Sequence, residues 1–599
     1  MDRLADVPRR WQAAALAALT WVAHLPALRG GFVFDDHALV EQGAVVRGAL
    51  WRIWSGAGVK DYWPLTWTAL WAEWRLWGAD PAGYHAVDLA LHALTALLLW
   101  RVLRELRVPG AWLGALLFAV HPVTVDSAAW ISETKNTLSA LPFLAAVLAW
   151  IRWVDGGRRR HAAAAFLFYG LALLAKASVL TLPAVLLGVG WLRRGRLARR
   201  DLAALAPLAA LAALFAGITV WFQHQHALGG HLAAAGLGER LGGAGWALAG
   251  YLTTELLPWT AAVIYAPWPV PPADPRYFAP LAALAALAAA LWALRARPWA
   301  RALALALGYT AVVLLPVLGL VEMAYARLAP ISNHLQYLGV IGPAALGGCA
   351  VAALRRHAPR AGLAAAVALT GILAALTFER ATAYRDDLAL WSRAVSDAPE
   401  SPVAHAQLAA QLLDLGRVEE ARRETEQEAR LTREPDRRAR ARAYAALLGD
   451  APDQAAAAAR EAVRLSSDPD VWRDAGVILS RTGFPAEGEA ALAAAVEAMP
   501  DATDYRYQYG ALLARQRKLG RAEEVLREGC RRNPGHPGLE EALAFVLVAE
   551  GRPGEALPHV AAALDVAPSD PRAAARIAEL ARDAGQPSAA AGEAAPAGR

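Results

Sequence analysis

The stretch 83-GYHAVDLALHALTALLLWRVLRELR-107 decides the class of this chain. From Tyr84 to Trp100 it is almost wholly apolar and long enough to cross a bilayer as a helix, and it runs straight into Arg101, Arg104 and Arg107. A membrane-length apolar block followed by a basic cluster is the pattern of a span whose following loop stays on the cytoplasmic side. Blocks of this kind recur up to about residue 380, with arginines clustered between them, as in 193-RRGRLARR-200. Beyond that point the charge density rises and the blocks stop. The chain has 599 residues, 56% of them apolar, and it divides into a polytopic membrane half and a polar half.

The net charge of +6 is modest and the basic residues sit in short loops, so they read as topology signals; no basic stripe points to nucleic acid. The two cysteines, Cys349 and Cys530, lie in different halves and supply neither a disulfide framework nor a zinc site.

Orientation follows from the basic loops. The start, 1-MDRLADVPRR-10, is basic and is assigned to the cytoplasmic side. Trp11 to Leu28 is read as a first span, because no small-x-small cleavage site follows it. Residues 31-GFVFDDHALV-40 then lie outside. Alternation continues through 101-RVLRELR-107 inside, 121-HPVTVD-126 outside, 158-RRRH-161 inside, 175-AKAS-178 outside and 193-RRGRLARR-200 inside, and a seventh span exits near Gln223. Residues 246-WALAGYLTTELLPWTAAVIY-265 carry Glu255, two threonines and Pro258. If they crossed, Arg295, Arg297 and Arg301 would fall outside, so they are read as re-entrant or interfacial. Four more spans near 278–294, 302–320, 336–354 and 361–378 bring the expected total to about eleven. An odd number puts the polar half on the non-cytoplasmic face of an inner or plasma membrane.

That half repeats. Gly416, Gly449, Gly483, Gly520 and Gly551 recur at about 34 residues, as do Pro435, Pro469, Pro500, Pro534 and Pro568, which is the tetratricopeptide period. Each unit is expected to be a helix pair with glycine at the turn and proline closing the second helix, as in 409-AAQLLDLGRVEEARR-423. Stacked units form a superhelix with a concave groove. The expected organisation is an all-α membrane domain over 1–380, repeats over 381–585 and a disordered tail over 586–599.

Two adjacent carboxylates, Asp35 and Asp36, a few residues past a span are unusual in so apolar a chain. They read either as a helix cap or solvated loop, or as reactive groups at the membrane boundary. Other polar residues gather at expected outer span ends: His85, His121, Asp126, Glu133, Lys135, Lys176, His334, Gln336 and Tyr337. One by one these read as satisfied polar residues, and Lys135 as a snorkelling lysine; together they make a candidate site. The run 223-QHQHALGGH-231 has three histidines, but their spacing matches no firm metal-ligand pattern, and no metal is expected.

Several segments carry a family resemblance. The stretch 32-FVFDDH-37 looks like the first outer loop of GT-C glycosyltransferases, with an acidic residue near the end of the first span. The stretches 62-YWPLTW-67 and 83-GYHAVDLALHALTALLLW-100 are similar to the second-span region of the transmembrane-and-tetratricopeptide-repeat O-mannosyltransferases. In 117-LFAVHPVTVDSAAWISETKNTLS-139 the His-Pro, the acidic residue and the Trp-Ile-Ser match that family, while its Glu-Arg-Lys triplet stands here as Glu133-Thr134-Lys135. The segments 173-LLAKASVLTLPAVLL-187, 250-GYLTTELLPWTAAVIYAPW-268 and 330-PISNHLQYLGVIG-342 also resemble it, with Asn333-His334 in place of the usual Asp-His pair.

The resemblance implies a GT-C-like fold that takes a polyprenyl-phosphate monosaccharide as donor, needs no cofactor, and glycosylates a hydroxyl, expected to be a protein Ser or Thr held by the repeat groove. A carboxylate must then take the acceptor proton, which is the expected role of Asp35 or Asp36. Cations and hydrogen-bond donors must hold the leaving phosphate, the expected role of Lys135, Lys176, His334, Gln336 and Tyr337. His85, His121, Asp126 and Glu133 are expected to support them. The competing reading is a membrane-anchored repeat scaffold with no catalysis. A transporter of lipid-linked sugars fits less well, because the spans are polar near their outer ends and not at their midplanes.

Overall fold

The computed structural model describes residues 8–41, 43–56, 59, 61–196, 198–222, 236–321, 323–564, 579 and 582. The histidine run 223–231, Pro568 and the tail 586–599 lie outside the described residues. The regular elements of the described residues are all helical, with no strand. Two units separate, one of residues 1–36 and 59–404, the other of residues 37–58 and 405–599.

In the first unit every expected span falls on a helix. Among the described residues, six segments are long and apolar enough to cross a membrane: Pro81–Glu105, Ile131–Gly156, Arg199–Phe222, Pro275–Ala293, Pro298–Val317 and Pro359–Arg385. A seventh is added if Ala111–Ala119 and Pro122–Ala129, bent by 52°, count as one broken span. The other expected spans fall on shorter helices: Arg9–Ala23, Arg159–Ala175, Leu182–Arg194 and Ile341–His357. At about 1.5 Å per residue, the 13 residues of Leu182–Arg194 fall short of the hydrocarbon core. Hydropathy alone does not see such breaks. The 3-10 turn Ala177–Thr181 precedes Leu182, and Pro122 interrupts its own segment. The stretch read as re-entrant begins in helix Leu237–Leu256, which ends before the 3-10 turn Pro258–Thr260.

The helices pack closely where side chains are smallest. Gly110, at φ +69°, and Gly114 lie against Gly348 of helix Ile341–His357. A Cβ on Gly348 would sit 2.8 Å from both the Gly110 carbonyl oxygen and the Gly114 nitrogen, so only glycine fits this crossing. Gly348→Val is expected to force the two helices apart. The loss should be about 1–3 kcal/mol or more, as for overpacking a dense core, read as a lower detergent-solubilised yield and a lower melting temperature.

The second unit contains helix hairpins with the alternation expected of tetratricopeptide repeats, Pro435–Leu448 with Pro452–Leu465 and Pro469–Arg481 with Pro485–Ala498 among them. Alanines fill the interior: Ala443, Ala455, Ala459 and Ala475 have no exposed surface. Two details differ from the sequence expectation. Pro435 and Pro469 do not close a helix; each stands at the start of the next one, where its missing N–H has no helical partner to lose. Glycine also takes the left-handed turn position in only some hairpins. Gly416, Gly483 and Gly551 do so, whereas Asp450 and Arg517 hold that conformation beside Gly449 and Gly520.

Candidate functional site

The site is built in the first unit from the segment after the first helix and the segment 130–136. The loop 31–36 is tied down on several sides. The Gly31 N–H donates to the Arg385 carbonyl at 3.0 Å, and the Phe34 N–H to Asp387 Oδ1 at 2.8 Å. Phe34 has φ +50°, a left-handed conformation that an aromatic residue adopts only when its surroundings impose it. Its ring supplies the constraint, packed 5.7 Å from Trp130 and 5.1 Å from Trp391.

This turn sends the two carboxylates different ways. Asp36 has no exposed surface. One oxygen accepts from the Val33 N–H at 3.1 Å, and the other from the Ser132 N–H at 2.6 Å. Asp35 is exposed. The arrangement makes Asp36 a tether between the loop and residue 132, while Asp35 lies at the surface.

Beyond Ser132 lies a charged cluster. Glu133 is buried, with Lys135 Nζ at 2.7 Å and Lys176 Nζ at 3.4 Å. Asn136 donates to Glu133 at 2.7 Å, and its oxygen accepts from Lys176 at 2.5 Å. Lys135 also lies 4.7 Å from the centre of the Trp63 ring. His334 Nε2 is 3.8 Å from Glu133, and burial pushes this imidazole down to about 3, so it is neutral at pH 7. Burial also draws Lys176 down to about 8, against the pull of Glu133. Two ammonium groups thus share Glu133, and Asp61 also favours the charged form of Lys176. Two neighbouring ammonium groups can donate to an anion, and a phosphate presents several oxygens to such donors.

The other expected residues fall in four places. Asp126 belongs to a second network: Arg380 Nε donates to it at 3.3 Å and Asn333 Nδ2 at 3.1 Å. Gln336 joins that network through Asn333 and Thr254. His121 is a structural residue; its Nε2 meets the Glu255 carbonyl at 3.0 Å and its Nδ1 accepts from the Val123 N–H. Tyr337 pairs with His92 at 2.7 Å inside the apolar core. His85 is buried beside Gly30, where an added Cβ would come within 2.8 Å of its Nε2.

Sequence reasoning left out three residues that the structure brings in. Asn136 bridges Glu133 and Lys176. Arg380 closes on Asp126. Asp88 is fully buried and accepts from Thr134 at 2.6 Å, just beside the cluster. A carboxylate and a guanidinium inside apolar runs were the available signal for Asp88 and Arg380.

No family model matches the chain. Its curated relatives are protein O-mannosyl-transferases. It is 33% identical over 161 residues to "Protein O-mannosyl-transferase TMTC1" of Mus musculus, a match covering 24% of this chain and 17% of that protein. The Homo sapiens protein of the same name is 34% identical over 161 residues, covering 24% and 18%. "Protein O-mannosyl-transferase F38B6.6" of Caenorhabditis elegans is 27% identical over 154 residues, covering 23% and 22%. The chain therefore spans about a fifth of the length of these relatives. Among solved structures, a thermophilic TPR protein of Thermus thermophilus is similar at 22% identity over 30% of this chain and 98% of that one, with a TM-score of 0.27. The TPR protein YrrB, described as having an unusual peptide-binding site, is similar at 19% identity over 32% and 97%, with a TM-score of 0.23.

Proposed function

We propose that this chain is a membrane glycosyltransferase that moves a mannose-like hexose from a polyprenyl phosphate to a protein hydroxyl. The observation that carries the reading is the pair Lys135 and Lys176 sharing Glu133, tethered through Ser132 and Asp36 to the loop that presents Asp35. A repeat scaffold anchored in the membrane needs no pair of buried lysines on one carboxylate. The protein acceptor and the sugar come from the names of the relatives; the lipid phosphate is what the family resemblance implies, and the lysine pair supports it as a place for an anion.

On this reading the acceptor oxygen attacks the anomeric carbon from the face opposite the phosphate. The bond from that carbon to the phosphate oxygen breaks, and its electron pair stays on the phosphate, where Lys135 and Lys176 hold the charge that develops. The acceptor proton passes to the Asp35 carboxylate. Asp36 acts through Asp35 as a positioning residue. The sugar configuration inverts. The repeat unit lies on the non-cytoplasmic face and presents the acceptor.

The test is transfer by the purified full chain in detergent, with polyprenyl-phosphate mannose and a Ser/Thr-containing peptide, read by the mass of the peptide. No product from any hydroxyl-bearing acceptor would favour the scaffold reading. A pH dependence follows from Lys176. Its ammonium is charged below about 8 and neutral above it, so affinity for the lipid phosphate is expected to fall as pH rises through that value. Lys176→Arg should move the fall to higher pH, which a binding titration from about pH 6.5 to about pH 9.5 would check.

A further inference from the structure

The far ends of the helices that carry the lysine pair have a different chemistry. Helix Arg159–Ala175 stops at Lys176, and its 17 residues put Arg159 about 25 Å from that end. There the segments 152–161 and 193–201 meet, with nine arginines and two aspartates between them. Three of the arginines knit the segments together. Arg193 Nε donates to Asp155 Oδ1 at 3.1 Å, and its Nη1 to the Glu105 carbonyl at 3.0 Å. Arg194 reaches both Asp201 and the Val154 carbonyl. Arg200 Nη2 donates to that same carbonyl at 3.2 Å, and a Cβ on Gly157 would lie 3.2 Å from its Nη1.

Both aspartates are thereby engaged, Asp155 by Arg193 and Asp201 by Arg194. Arg152, Arg158, Arg159, Arg160, Arg196 and Arg199 are left exposed, with no ion-pair partner among the described residues. Retaining a loop on one side of a membrane requires only that its charges exist. It does not require two segments drawn into one surface with their acids consumed internally. The surplus charges repel one another, and an anion between them relieves that repulsion. The position of the surface says which anion. The segments Ile131–Gly156 and Arg199–Phe222, each long and apolar enough to cross a membrane, end and begin inside it, so the arginines stand at headgroup depth. Trp191, Leu192 and Leu202 are exposed within two residues of the second arginine run. An occupant must therefore offer a negative group to guanidinium donors and an apolar chain beside it. A phosphodiester on acyl chains meets both demands, and arginine pairs well with phosphate oxygens. A soluble anion would leave the apolar side chains uncovered.

We infer that the joined segments 152–161 and 193–201 form a binding surface for the headgroups of anionic phospholipids in the surrounding leaflet, held in shape by the contacts of Arg193, Arg194 and Arg200. The inference stands apart from the proposed function, because the surface shares no residue with the lysine cluster. It gives this end of the helices a lipid preference that the basic residues would not need for topology alone.

The experiment uses the full chain in a neutral detergent with fluorescent phosphatidylglycerol as tracer, displaced by unlabelled phosphatidylglycerol or by phosphatidylcholine of the same acyl chains. Phosphatidylglycerol should displace it at the lower concentration, and the difference should shrink in high salt. The triple variant Arg158→Gln, Arg159→Gln, Arg160→Gln alters only exposed side chains and should fold as the wild type does, which its melting temperature checks. It should weaken phosphatidylglycerol about fivefold or more, the effect of even one arginine at a charged lipid surface, and leave phosphatidylcholine unchanged. The matching triple lysine variant keeps the charge and should keep most of the affinity. A wild-type chain without preference between the lipids, or a glutamine variant that binds as the wild type does, would overturn the surface. So would an equal loss in the lysine variant, which would trace the effect to packing and not to charge. Glycerol phosphate carries the headgroup chemistry without the chains. If it competed as strongly as the lipid, the arginines would belong to a soluble anion and the lipid surface would fall.

Discussion

Asp35→Asn should reduce transfer by about 10²–10⁴, the range that a general base contributes, while the chain folds and binds donor as before. The asymmetry between the two neighbours is the basis. Asp36 is buried and both its oxygens accept from backbone N–H groups, whereas Asp35 lies at the surface, where an acceptor hydroxyl can approach it. Asparagine at 35 keeps size and polarity and loses only the capacity to take a proton. On the proposed reading the lysines hold the lipid phosphate elsewhere, so donor affinity should persist or rise slightly as a negative charge is removed. Asp36→Asn should behave differently. An amide has one acceptor oxygen for two N–H donors, so the loop loosens, and both rate and thermal stability fall together. Single-turnover rates with saturating donor, measured alongside donor affinity and melting temperature, separate the two roles. A near-normal rate for Asp35→Asn would exclude it as the base.

Much of this was legible before any coordinates, and the limits were physical. Apolar runs and arginines located the helices, because depth in a membrane is written into hydropathy. The repeat period located the hairpins. Charged residues at the ends of apolar runs drew attention to Lys135, Lys176 and Glu133, which the structure places together. Sequence position, however, gives a residue's depth along a helix and not the direction its side chain takes around it. Tyr337 and His334 are close neighbours in the chain, yet one pairs with His92 in the apolar core and the other faces Glu133. Asp126 and Arg380 meet across 254 residues, a pairing no local pattern encodes. Which of Asp35 and Asp36 reaches the surface depends on the backbone of Phe34, whose left-handed conformation accompanies its packing on Trp130 and Trp391.

The charge count of the lysine cluster leads to a non-additive expectation. Lys135→Met leaves Glu133 beside Lys176, and Lys176→Met leaves it beside Lys135. Either single variant retains a neutral buried pair and should fold. Each loses one charge-assisted contact to phosphate, worth about 1.5–3 kcal/mol, so donor affinity should fall roughly tenfold to a hundredfold. The double variant is a different case. It strands Glu133, which is buried, without a charged partner, and breaking a buried pair in this way costs about 3–5 kcal/mol. The expected result is loss of folded protein, well beyond the sum of the two single effects on stability. Adding Glu133→Gln to the double variant removes the stranded charge, so folded yield should return while donor binding does not. Thermal melts of the four proteins, with titrations of sugar-free polyprenyl phosphate, test the scheme. If the double variant folded as well as either single one, Glu133 would not depend on the lysines for its charge. If the triple variant bound the lipid phosphate normally, the lysines would not be its site.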